Sequence, residues 1–275
     1  MHAVTDRRRL LLAGAAATAL AMPRLARAEA GGEVRVVSSG GLNEVLATLR
    51  PEFERATGLK VHAESGSSMG ASPTAIPQRL ERGERFDVML LAAEAFDAYA
   101  ARGQAMAGSR VDIARSLIGM AVRQGAPVPD ISTVERFRQV LLDAKSIGYS
   151  ASASGVYIEA EMFRRLGIHD QVMPKARKIL TLRVASVVAS GEVEIGFQQV
   201  SEILPIPGVT FAGPIPEEVQ RATIFSGGLG ANPANLDGGR ALLRFLASEQ
   251  AAPVLVRNGL EPLLGRNAAA PPARG

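Results

Sequence analysis

The 275-residue chain contains no cysteine. That excludes a disulfide framework, a thiolate metal site and a lipid-modified cysteine behind an export signal. Histidine is nearly absent, and only His62 and His169 lie beyond the first thirty positions. Histidine-dependent chemistry would have to use one of those two. No G-x-x-x-x-G-K-[ST] and no G-x-G-x-x-G follows the first apolar run, and Gly228-x-Gly230 is an unmatched fragment, so ATP- and NAD-type phosphate loops find no support. There is no G-x-S-x-G elbow for a serine nucleophile either.

What is present begins at the N-terminus. Arg7-Arg8-Arg9 precedes an uncharged run from Leu10 to Met22, and Ala26-Arg27-Ala28 follows before Glu29. This is a basic region, an apolar region of secretory length and a small-x-small cleavage site. The run falls short of the ~20 residues that cross a bilayer. The adjacent arginines resemble a twin-arginine signal, so residues 1–28 are expected to be a cleaved export signal and the product a periplasmic monomer. Within that segment Arg7, Arg8, Arg9, Arg24 and Arg27 stand against Asp6, which accounts for the whole formal charge of +4. The remainder is near neutral, and a nucleic-acid partner loses its electrostatic basis.

Downstream, apolar runs alternate with helical patterns. Val34 to Val37, Leu59 to Ala63 and Phe86 to Ala92 read as strands, with a helix over Leu42 to Thr57 ended by Gly58 and another over Ile76 to Arg82. A second set follows: strands at Ile113 to Val122, Ser146 to Tyr149 and Val193 to Phe197, and helices at Ser132 to Asp143 and Gly155 to Leu166. A strand at Ala222 to Leu229 and a helix at Leu236 to Ser248 complete it, while the proline-rich Leu204 to Pro216 reads as loop. The alternation predicts an α/β fold built as two units.

Four polar turns follow strands: Ser38-Ser39-Gly40-Gly41, Ser65-Gly66-Ser67-Ser68, Ser150 to Gly155, and Gln198-Gln199. Ligands of open α/β sheets bind at the carboxyl ends of strands. Helix N-termini with serine hydroxyls nearby offer donors to an anion. One serine alone is more often a cap or a turn residue, so the recurrence is what points to a site.

The order of these segments resembles the periplasmic molybdate-binding proteins of ABC importers, within the type II periplasmic binding fold. The resemblance rests on Val34 to Leu42, Phe53 to Ser68, Arg79 to Ala92, Ser150 to Ile168, Val187 to Leu204 and Ala241 to Leu263. It implies two lobes facing a ligand cleft, with residues 29–115 and 225–265 in lobe 1, 116–224 in lobe 2, and a disordered tail at 266–275. It also implies a ligand held by Ser39 with Gly40, by Ser67 or Ser68, by the Ser154-Gly155 turn, and at the position of Gln199 beside Gln198. The family's tyrosine in a motif like G-I-V-Y-L-S-D is here Gln199, within Gly196-Phe197-Gln198-Gln199-Val200-Ser201-Glu202. Arg183 adds a guanidinium suited to a carboxylate. Gly40 and Gly41 are expected to enlarge the site, favouring an organic di- or tricarboxylate over molybdate.

The leading expectation is therefore a periplasmic solute-binding protein that hands a small anion to an ABC permease, with no cofactor and no metal. The alternative, from a branch of this fold resembling periplasmic aconitate isomerase, uses the same cleft for a proton shift in a tricarboxylate. That chemistry needs a base, for which His62, Glu64, Tyr157 and Glu202 are the nearby candidates.

Overall fold

The computed structural model describes residues 32–264. The expected export signal over 1–28 and the expected tail over 266–275 lie outside the described residues. In chain order, β1 (Glu33–Ser38), α1 (Gly40–Thr57), β2 (Lys60–Ser65), α2 (Ile76–Glu81), β3 (Val88–Ala92), α3 (Ala93–Ala101) and β4 (Val111–Ser116) open one lobe. The second lobe runs through β5 (Ile118–Arg123), α4 (Val134–Asp143), β6 (Ile147–Ser150), α5 (Ala153–Tyr157), α6 (Phe163–Arg165) and α7 (His169–Val172). It continues with β7 (Ala176–Ile179), α8 (Val184–Ser190), β8 (Ile195–Gln199), α9 (Val200–Ile203) and β9 (Val209–Pro214). The chain then returns to the first lobe in β10 (Thr223–Leu229), α10 (Leu236–Leu246), α11 (Ala252–Arg257) and β11 (Leu260–Pro262).

The first sheet has six strands in the order β11-β4-β10-β3-β1-β2, and the second has five in the order β7-β6-β8-β5-β9. In the first, β1 runs parallel to both β2 and β3, while β10 is antiparallel to β3 and β4. In the second, β6 is parallel to β7 and β8, and β5 is antiparallel to β8 and β9. Each lobe thus aims the carboxyl ends of its parallel strands, and the turns that follow them, at one side of its sheet.

Two expectations change. The strand expected over Ile113 to Val122 is two strands, β4 and β5, because the chain leaves one sheet for the other at Leu117. The segment expected as a proline-rich loop contains β9, which pairs only with β5 at the sheet's edge. Its proline, Pro214, closes the strand where an edge tolerates the missing N–H. Helix α1 stops where the pattern predicts, with Gly58 at its C-cap at φ 75°, and starts two residues earlier than expected, at Gly40. The helix expected from Gly155 is a run of α5, a π turn at Ile158–Met162 and α6.

Each lobe has its own core. Val34, Val36, Leu46, Phe53, Leu90 and Leu243 pack in the first, and Met120, Phe137, Ile147, Tyr149, Phe163 and Phe197 in the second. Each such side chain contributes roughly 1.5–3 kcal/mol by leaving water. Phe137 and Phe197 meet edge to face with centroids 5.8 Å apart. Two separately cored bodies joined by short crossovers set up a cleft between them.

Candidate functional site

Ser39 stands between the end of β1 and the start of α1, and its backbone N–H donates to the Leu90 carbonyl at 2.7 Å. It occupies the N-cap position, yet its side chain makes no capping bond. Its Oγ is buried with no hydrogen-bond partner among the described residues. A cap would have used that oxygen on the helix. The first N–H groups of the 18-residue α1 have no intrahelical acceptors and carry the positive end of the helix dipole.

The glycines after Ser39 do not enlarge the site. A β-carbon at Gly40 would overlap the Glu202 carboxylate, and one at Gly41 would overlap the Phe225 ring. The missing side chains let the second lobe's Glu202 close down on the N-terminus of α1. The expectation of extra room is corrected by what fills it.

In the second turn, Ser67 donates its hydroxyl proton to the Met69 carbonyl at 2.6 Å. Ser68 Oγ accepts from the Ala92 N–H at 3.1 Å, and its carbonyl accepts from the Tyr99 hydroxyl at 2.6 Å. Burial pushes the Tyr99 phenol up to about 12, so it remains a donor. Ser68 is therefore a fixed, buried wall whose own proton is left to give, whereas the Ser67 hydroxyl is spent within its loop.

On the second lobe, the buried Ser154 lies 3.1 Å from Ser150, oxygen to oxygen. A β-carbon at Gly155 would overlap the Ser150 carbonyl, so this glycine lets α5 pack on the end of β6. Arg183 precedes α8, and its Nη2 lies 3.1 Å from Glu44 Oε1 on α1, an ion pair that spans the lobes. Gln198 Oε1 accepts from the Ala185 N–H at 3.3 Å. Gln199 Nε2 donates to Thr223 Oγ1 at 2.9 Å, while Gln199 Oε1 is buried without a partner among the described residues.

Four candidate bases separate by environment. His62 is exposed on β2 beside Glu33. Glu64 is bound by Arg79 and Arg35, and the Arg79 guanidinium holds its carboxyl below the usual range. The Tyr157 hydroxyl donates to the Val219 carbonyl at 2.7 Å and accepts from Arg165 at 3.1 Å. Glu202 differs from all of these. Burial pushes its carboxyl up to about 7, against the opposing pull of Arg183, the Gln199 backbone N–H and the Gln198 side chain.

Glu202 thus gathers Gly40, Arg183, Gln198 and Gln199 around one carboxyl, with Ser39 next in the chain. Beside this cradle lies a cavity of about 170 Å³ whose walls include Ala92, Glu94, Ser154, Tyr157, Arg221 and Thr223. Sequence reasoning did not single out Arg221, Thr223 or Glu94. The available signal was the arginine at the second crossover, directly before a strand. Among the described residues no group of three or more His, Cys, Asp or Glu side chains is placed to hold a metal ion, and no helix is long and apolar enough to cross a membrane.

A family model described as bacterial extracellular solute-binding protein matches residues 34–261. A Pseudomonas sp. protein named aconitate isomerase is 44% identical over 228 residues, covering 83% of this chain and 87% of that protein. Among solved structures, the periplasmic molybdate-binding protein of Azotobacter vinelandii superposes with a TM-score of 0.67 at 19% identity, covering 82% of this chain and 98% of that one. The sulfate-binding protein of Mycobacterium tuberculosis H37Rv gives a TM-score of 0.67 at 14% identity, over 84% and 87% of the two chains. These superpositions establish the two-lobed type II binding-protein fold.

Proposed function

The chain belongs to the bacterial extracellular solute-binding proteins, and from that premise we propose that it is a periplasmic isomerase that interconverts cis- and trans-aconitate in the cleft. One observation carries this reading. Glu202, a carboxyl that titrates near neutral pH, sits at the N-terminus of α1 inside a cradle of neutral donors and one arginine. A carrier needs no proton acceptor there, whereas an isomerase does. The relative named aconitate isomerase supports the choice of substrate.

The chemistry follows from the groups present. Ionised Glu202 removes a proton from the methylene carbon of aconitate. The electron pair spreads over the three-carbon unit and into the adjoining carboxylates. Protonated Glu202 then returns the proton to the former vinylic carbon, and the double bond moves by one position. Atoms and charge balance without an oxidant or a cofactor. A base with a pKa near the working pH is the efficient choice for both transfers. The Ser39 hydroxyl, the N–H groups of α1, Ser68, Ser154 and Gly155, Gln198 and Gln199 form the proposed walls, and Arg183 takes a carboxylate.

The test is a nuclear magnetic resonance assay of cis-aconitate with the full chain, run beside Glu202→Gln. Interconversion by the native protein is expected, with kcat lowered roughly 10²- to 10⁴-fold in the variant while aconitate still binds by calorimetry. Binding without interconversion by the native protein would sink the isomerase and leave the second reading. That reading, a periplasmic carrier serving a permease, is favoured by the family match itself.

A further inference from the structure

Aconitate carries three carboxylates, and a buried carboxylate without a partner is costly. The cradle around Ser39, Gln199 and Arg183 does not have cationic partners for three, because Arg183 already shares its charge with Glu44 at 3.1 Å. The cavity next to the cradle supplies what is missing. It has a volume of about 170 Å³, against the roughly 10–15 Å³ that one water needs on the same measure, so a carboxymethyl arm fits.

Its walls are chemically suited to an anion. Arg221 enters from the second crossover and lies over the Tyr157 ring at 5.5 Å from the centroid. One guanidinium nitrogen is 2.6 Å from Glu161, and another is 3.6 Å from Glu94. Glu161 is a close partner. Glu94 is a distant one on a side chain 76% exposed, so it can be displaced by a substrate carboxylate at little cost. The first turn of α3 also faces the cavity through Ala93 and Glu94, and Ser154 and Thr223 bring hydroxyls. Cavity and cradle share a wall, since Thr223 lines the one and accepts from Gln199 of the other.

We propose that this cavity is a second carboxylate subsite, in which Arg221 holds the carboxymethyl arm of the substrate in place of Glu94 and so selects tricarboxylates over dicarboxylates. This rests on the organic-acid reading of the cleft, and it concerns recognition, not the proton transfer.

The experiment is calorimetry with trans-aconitate and with methylfumarate, a dicarboxylate that carries a methyl group where trans-aconitate has its carboxymethyl arm, on native protein, Arg221→Gln, Arg221→Lys and Glu94→Gln. Arg221→Gln is expected to weaken aconitate at least about tenfold, the scale of a hydrogen-bonded charge pair, and to leave methylfumarate within about twofold. Arg221→Lys should fall between, because it keeps the charge and loses the fork. Glu94→Gln should tighten aconitate about two- to fivefold by removing the competitor. Equal weakening of both acids in Arg221→Gln, or no change in either, overturns the subsite, as does weaker aconitate binding in Glu94→Gln. Should Arg221→Gln fail to fold, the Glu94→Gln arm decides alone. Native protein that binds neither acid removes the functional reading together with the subsite. Native protein that binds aconitate without interconverting it removes only the isomerase, and the affinities still judge Arg221.

Discussion

Glu202 is held in place by a glycine in the opposite lobe, and that pairing makes its titration measurable as stability. Its carboxyl is pushed up to about 7, well above the ordinary glutamate value, because burial disfavours the charged form. The raised value means that the folded state binds the proton more tightly than the unfolded chain does. The contribution is fully present below pH ~4.5 and is lost as the pH climbs through about 7. The cost at pH 8 amounts to up to about 3 kcal/mol on the 1.36 kcal/mol per unit scale. Glu202→Gln is therefore expected to unfold at higher denaturant than the native protein at pH 8 and at the same concentration at pH 4. Equal gains at both values would show that the substitution acts through packing and not through the proton. Gly40→Ala tests the other side of the pair. The new methyl group meets the far end of a flexible side chain, so the stability cost should stay near 1 kcal/mol. Turnover should drop at least about tenfold, because the carboxyl moves off the helix N-terminus. The sequence carried the residue types here, including Glu202 among four bases. It did not carry the contact, since nothing in the spacing of two segments some 160 positions apart says that they touch.

At the scale of elements, the crossovers are where pattern reading stopped. Ile113 to Val122 is one uninterrupted β-type run, and its apolar pattern looks the same whether it serves one sheet or two. The switch at Leu117 is imposed from elsewhere in the chain. Gln220, on the returning crossover, accepts from the Ile118 N–H at 2.9 Å and donates to the Ile118 carbonyl at 3.0 Å. One side chain thus bonds both backbone groups of the residue that begins β5, sharing the carbonyl with the Ile215 N–H, and it ties the outgoing crossover to the returning one. Gln220→Ala leaves the Ile118 N–H without its acceptor, while the carbonyl keeps the Ile215 N–H at 3.1 Å, at an expected cost of about 1–3 kcal/mol by denaturant unfolding. A null result would mean that water replaces the amide. The turns, by contrast, were legible because each is a local event: an apolar strand ends, a small polar residue follows, and a helix starts. Even there the roles needed coordinates. Ser39 and Ser67 are alike in sequence, but one hydroxyl has no partner among the described residues and the other is bound to the Met69 carbonyl.

For the whole molecule, Glu44 of the first lobe and Arg183 of the second form an ion pair across the cleft at the cradle. The two side chains are 38% and 29% exposed, so the pair is screened and contributes on the order of 0.2–1 kcal/mol. That is too little to change global stability much. It is enough to shift a closed-to-open equilibrium of the cleft by up to about fivefold, because a difference of 1.4 kcal/mol is a factor of ten. Small-angle scattering on ligand-free protein should accordingly show a larger radius of gyration for Glu44→Gln than for the native chain. The native chain should approach the variant as salt is raised towards 1 M, where the screening length shrinks to about 3 Å. With saturating aconitate the two proteins should coincide, since the ligand's own carboxylate then engages Arg183 and bridges the lobes. A variant that stays expanded with ligand bound would mean that Glu44 helps hold the closed form even when the site is filled. A variant indistinguishable from the native chain at low salt would mean that closure rests on the other contacts between the lobes, such as Glu202 with Gly40 and Gln199 with Thr223.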